Sequence, residues 1–163
     1  HLRSSQPNGL PVPKKDILRA LVTLRGKGQC SIFGYIADQA PRWTNIHLWL
    51  PFLNHQTPVF TGAERIMRKM NNAVFYVKME RPRRGYYTCT FQLITRDPGS
   101  LPEYEITRRF FSLLEQDIQR HPEYYLWTHN HWKRTKEEFD RRFELVNGKV
   151  IEKSKVRKSE KTK

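Results

Sequence analysis

Residues 122–135 read PEYYLWTHNHWKRT, a run of alternating aromatic and basic side chains that follows an amphipathic stretch and leads toward a lysine-rich end. Working outward, the stretch before it, Tyr104 to Arg120, places Ile106, Phe110, Leu113, Leu114 and Ile118 on one side, which predicts the longest helix of the chain, and Pro122 terminates it. Within the run, His129 and His131 flank Asn130, a spacing that invites a metal reading. Zinc needs further ligands, and no Cys or His cluster stands at suitable spacing, so no metal site is predicted. The aromatic residues Trp127 and Trp132 are expected to anchor the segment against a sheet.

Upstream, Pro7 to Pro13 reads as a loop delivering the chain to a helix from Lys15 to Arg25, with Ile17, Leu18, Leu21 and Val22 on one face and Gly26 and Gly28 as the stop. Gln29 to Ile36 carries Ile32, Phe33, Tyr35 and Ile36 in a nearly continuous apolar run, which predicts a strand buried on both faces and ending at Ala37-Asp38-Gln39. Ile46 to Leu53 is apolar but ambiguous. Thr61-Gly-Ala-Glu64 has the reciprocal spacing in which Thr and Glu side chains cap their own helix, with Ile66, Met67 and Met70 as its buried stripe. Ala73 to Glu80 and Tyr86 to Thr95, joined by Arg81-Pro-Arg-Arg-Gly85, predict a hairpin.

Helix, strand, helix, strand and hairpin in this order define an α/β class with a mixed central sheet covered by helices. Ligands of such sheets gather beyond the carboxyl ends of the strands, which places Asp38 and Gln39 near the expected site. The 163 residues suit one domain, taken as 1–147, and 148–163 are expected to be a disordered basic tail. No run approaches the roughly 18 apolar residues of a membrane span, and no charged-then-apolar leader opens the chain. Cys30 and Cys89 lie in apolar runs and read as buried thiols of a reducing compartment.

The formal charge is +14, of which residues 148–163 carry +5, leaving +9 on the remainder. That sign suits an anionic partner: nucleic acid, a phosphate-bearing lipid surface, or an acidic carrier protein. Arg84 to Phe91 partly echoes the aromatic strand of an RNA-recognition motif, yet Tyr87 and Thr88 stand where the small residue and the stacking aromatic are needed. No nucleic-acid partner is therefore expected. A non-catalytic basic module for anionic lipid or nucleic acid is the alternative reading.

The run 122–135 resembles the closing signature of the bacterial lipid A late acyltransferases, Pro-Glu-x-Tyr-Leu-Trp-x-His-x-x-aromatic-Lys, through Pro122, Glu123, Tyr125, Leu126, Trp127, His129, Trp132 and Lys133. Other blocks match in order: Arg3, then Ala37-Asp38-Gln39, then Pro51-Phe52, then Thr57 to Gly62. Leu53-Asn54 stands where the family usually has Gly. The resemblance implies a glycerolphosphate-acyltransferase-like fold and transfer of a fatty acyl chain from acyl-carrier protein to a hydroxyl of a lipid A precursor. It places that reaction at the cytoplasmic face of the inner membrane, without metal or organic cofactor.

The family's catalysis rests on a His-x-x-x-x-Asp or Glu dyad, in which the imidazole is general base. Five places after the six histidines stand Gln6, Phe52, Phe60, Leu126, Arg134 and Lys136, none a carboxylate. The resemblance therefore implies that the dyad and a membrane helix lie upstream, that this chain is the carboxyl-terminal part, and that alone it is inactive. It assigns active-site support to Arg3, Asp38 and Gln39, with Thr61 and Gly62 at a helix start suited to an anion. Arg81, Arg83 and Arg84 would meet lipid phosphates or the carrier. Helix capping by Thr61 and a solvated charged turn are the ordinary readings of the last two groups.

Overall fold

A computed structural model describes residues 12, 13, 16–28 and 30–153. The chain divides into two units, His1–Tyr35 and Ile36–Lys163.

In the first unit, helix α1 spans Ile17–Gly26, buries Leu21, and ends where Gly28 takes φ +64, a left-handed backbone that suits glycine. The expected start at Lys15 lies outside the described residues. The strand expected over Gln29–Ile36 does not form: residues 30–38 carry no strand, Ile32 is 93% exposed and Ile36 62%. An apolar run signals a preference for burial, whereas a strand also needs neighbouring backbone groups to complete its ladder. The buried thiols expected are likewise corrected, since Cys30 and Cys89 are both exposed.

The second unit is built from hairpins on helices. The ambiguous apolar segment resolves into β1, Leu48–Phe52, paired antiparallel with β2, His55–Val59. Leu53 and Asn54 make the two-residue turn with φ of 49° and 63°, the double left-handed geometry that matches strand twist. The Leu53 amide donates to Glu115 Oε1 at 2.6 Å. Helix α2 spans Gly62–Met70, β3 Val74–Arg83 and β4 Tyr86–Thr95, the last two forming the predicted hairpin with Gly85 at φ +82. Helix α3 spans Glu105–Arg120, followed by a 3-10 turn at Pro122–Tyr124, helix α4 at Lys136–Arg142, and the hairpin β5, Phe143–Val146, with β6, Lys149–Glu152. That last hairpin corrects the tail boundary expected at 148: Asn147 and Gly148, at φ 50° and 72°, are its turn. Residues 154–163 lie outside the described residues.

The chain is α/β, as expected. Among the described residues, however, the sheets are three separate two-stranded antiparallel ladders in place of the expected mixed central sheet. Without the strand at 29–36, the crossover connection that would have created parallel pairing is lost.

Two clusters form the core of this unit. Leu50, Phe52 and Val59 of the first hairpin meet Phe111 and Ile118 of α3, with Tyr125 and Trp132 packed against them. Ile46, Phe139 and Phe143 make the second, flanked by Trp43, Trp49 and Val150. The hairpin β3–β4 turns Val74 and Tyr76 inward, and the Tyr76 hydroxyl donates to Asp117 Oδ2 on α3 at 2.8 Å. Its other face is Phe75 opposite Leu93, Val77 opposite Phe91 and Met79 opposite Cys89, and all six are exposed.

Candidate functional site

The run 122–135 folds back along the first hairpin. The Trp127 indole N–H donates to the Pro122 carbonyl at 2.7 Å, which curls the segment on itself, and the Trp132 indole donates to Thr57 Oγ1 at 2.8 Å. Thr57 is fully buried in β2 and its hydroxyl reaches the His55 carbonyl at 3.1 Å, so this anchor is rigid. His131 follows the anchor inward. It is 2% exposed and sits among Phe52, Tyr125, Trp132 and His129, the two imidazoles 4.7 Å apart.

The chain just after Ala37-Asp38-Gln39 comes to the same place. The Ala40 amide donates to His129 Nε2 at 3.4 Å, across 89 residues of sequence. As an acceptor, that nitrogen carries no proton, so His129 is in the Nδ1–H form when neutral. Asp38 stands half-buried two residues before Ala40, and its charge acts on Tyr76, Tyr125 and His131.

Electrostatics follow from enclosure. Burial first, and the Asp38 charge second, push the Tyr125 phenol up to about 12, so it stays protonated as a donor. Burial, then the neighbouring His129, holds His131 below the usual imidazole value against the pull of Asp38, so its neutral form is favoured. Neither the Tyr125 hydroxyl nor His131 Nδ1 has a hydrogen-bond partner, although both are enclosed. Chemically, the cluster offers one phenol donor and one neutral imidazole within the field of a carboxylate. Among the described residues no group of three His, Cys, Asp or Glu side chains is placed to hold a metal ion.

The residues singled out from sequence are only partly brought together. Asp38 joins the histidine run, while Gln39 beside it is exposed. Arg3 lies outside the described residues. Thr61 is 2% exposed but its side chain makes no cap, correcting the expected capping box, and a side chain added at Gly62 would meet the Phe60 ring at 3.0 Å. Arg81, Arg83 and Arg84 are exposed at the β3–β4 tip. There Arg83 lies 3.7 Å over the Tyr86 ring, and Arg81, 5.7 Å over Tyr124, links the tip to the 122–135 run.

Sequence reasoning gave Tyr125 and Thr57 no role beyond the family match, and took Glu64 for a cap of its own helix. Glu64 is 3% exposed, and its Oε2 accepts from the amide and hydroxyl of Thr107 on α3 at 2.8 and 2.6 Å. The signal was its place three residues before Met67, on the buried stripe of α2.

The sequence matches the family of bacterial lipid A biosynthesis acyltransferases over residues 4–134, most of the chain and all of the region just described. This protein belongs to that family. No curated protein and no solved structure matches it. No helix among the described residues is long and apolar enough to cross a membrane.

Proposed function

We propose that this chain is the carboxyl-terminal part of an acyltransferase that moves a fatty acyl chain from an acyl-carrier-protein thioester to a hydroxyl of a lipid A precursor. The reaction takes place at the cytoplasmic face of the inner membrane. The observation that carries the reading is that Ala40, the residue directly after the Ala37-Asp38-Gln39 block, donates its amide to His129 of the 122–133 signature, so the two family blocks lie close together. Chance likeness in either block gives no reason for them to pack together.

In this reading the general base belongs to a His-x-x-x-x-Asp or Glu dyad outside this chain, because no histidine here has the carboxylate. Asp38, with Gln39 and Arg3, supports that dyad and the substrate. The start of α2 at Thr61 and Gly62 faces an anionic group, and Arg81, Arg83 and Arg84 meet lipid phosphates or the acidic carrier. The exposed apolar face of β3–β4 supports the view of a partial domain, since a sheet with one face on a helix and six apolar residues on the other calls for a second covering layer. That layer would complete a glycerolphosphate-acyltransferase-like sandwich.

The test has two arms. The purified 163-residue chain, given an acyl-carrier thioester and a lipid A precursor, is expected to show no transfer, and turnover by it would sink the reading. In a longer protein carrying the dyad, Asp38→Ala is expected to cut transfer sharply with unfolding unchanged. Wild-type rates would return Asp38 to a purely structural role.

A further inference from the structure

We propose that the cleft at the start of α3, walled by Glu64, Arg65, Arg68, Glu103 and Tyr104, binds a phosphate monoester whose carbon skeleton also carries a hydroxyl or amino group. The cleft encloses ≈ 320 Å³, within the range of roughly 300 to 1,000 Å³ of small-molecule sites. It shares no residue with the Asp38, Tyr125, His129 and His131 cluster.

Glu64 supplies the first requirement. Its Oε2 is committed to Thr107, whereas Oε1 is enclosed and has no partner. An enclosed carboxylate oxygen left unpaired keeps the penalty of its lost hydration. It only accepts, so the group that satisfies it must bring an O–H or N–H donor.

The arginines supply the second. Arg65 is exposed on the rim of the cleft, and its planar fork only donates and matches a phosphate in two-pronged fashion. Arg68 adds a second cation in a fixed position, because its Nη1 is held by the carbonyls of Pro98, Leu101 and Pro102. A bare anion would leave Glu64 Oε1 unpaired and face two carboxylates. A neutral polyol would leave the guanidinium fork unused. A divalent cation would face two guanidiniums. Only a ligand with an anionic end and a donor end meets both halves of the wall.

Tyr104 adds a third feature to the wall of the cleft. It takes φ 67°, a left-handed backbone that is strained for a residue bearing a side chain. Strain of this kind gathers at ligand clamps. Its phenol, raised above its ordinary value by burial and by the hydrogen bond to Glu103, stays a neutral donor.

The cleft would keep this ligand even if the chain had no part in acyl transfer, and the test reads binding without turnover. The 163-residue chain is titrated calorimetrically with glycerol 3-phosphate and with glucosamine 6-phosphate, against inorganic phosphate and glycerol. At least one ester is expected to bind about tenfold tighter than inorganic phosphate, and both Arg65→Met and Glu64→Gln to weaken it by about tenfold. Preference for the first ester identifies a glycerophosphate headgroup as the source, and preference for the second an amino-sugar phosphate. Because Glu64→Gln touches the packing of α3, Arg65→Met, on an exposed side chain, is decisive where the other variant unfolds. Esters that bind no better than inorganic phosphate, or binding indifferent to Arg65→Met, would overturn the proposal.

Discussion

The Glu64 carboxylate on α2 accepts both the backbone amide and the hydroxyl of Thr107 in the first turn of α3, 43 residues away. This is the work of an N-cap, done from another helix. Tyr104, the residue at the cap position of α3, makes no side-chain cap, and Glu64 was expected from its spacing to cap its own helix. The bond therefore welds α2 to α3. Thr107→Val removes one donor from an enclosed carboxylate and is expected to cost about 1 to 3 kcal/mol in urea unfolding. An unchanged midpoint would show that Glu64 has another partner.

Asn71 closes α2 in the left-handed region at φ 47°, and its Oδ1 accepts the Gly99 amide at 3.1 Å. Asn71→Ala loses both the tolerated conformation and the bond, about 2 kcal/mol together. Asn71→Gly keeps the conformation and is expected to cost about half as much. Thermal melts of the two variants separate backbone from side chain.

His131 should make stability depend on pH. Burial, with His129 and Lys133 beside it and Asp38 opposing, holds its folded value below the ordinary 6.5. Its contribution is complete above about 6.5 and declines as pH falls through that value, because the unfolded chain takes up a proton that the folded one refuses. His131→Phe, a neutral ring for the same aromatic surroundings, is expected to flatten part of the fall in urea midpoint between about pH 7.5 and 5.5. An equal slope in the variant would place the titration elsewhere.

Trp132 holds the signature run to β2 through one bond. Trp132→Phe keeps most of the ring and loses the donor to Thr57, with an expected cost of about 1 kcal/mol. Proteolysis within 122–135 should also quicken in the variant. Resistance like that of the parent chain would mean that packing alone anchors the run.

Phe91 and Leu93 lie on the exposed apolar face of β3–β4, at 59% and 44% accessibility. The double change Phe91→Thr, Leu93→Thr is expected to move stability in urea unfolding by no more than about 0.5 kcal/mol. A large loss of stability would show that this face is already covered.

The sequence was most legible where its periodicity was long and its partners local. The stripe of α3 and the β3–β4 hairpin both emerge near their expected limits, since each is stabilised by residues within or beside it. The run 29–36 misled because apolar composition does not reveal whether a neighbouring strand exists. Asn147-Gly148, between Leu145-Val146 and Val150-Ile151, is a strong hairpin signal hidden by the surrounding lysines. At the site, matching blocks pointed to Asp38 and the histidine run. The place of Glu64 on the stripe of α2 signalled its burial, but its partner Thr107 was beyond reach, because it is set by how two helices meet.

All three ladders close over two-residue turns, at 53–54, 84–85 and 147–148. Such hairpins zip in roughly 1 to 10 μs, since neither strand has to search far for the other. The signature run must instead find Thr57 and Ala40 across 75 and 89 residues. Closing those long loops costs more chain entropy than closing a two-residue turn, so the 122–135 run relies on its contacts with β2 and Ala40 to hold its place.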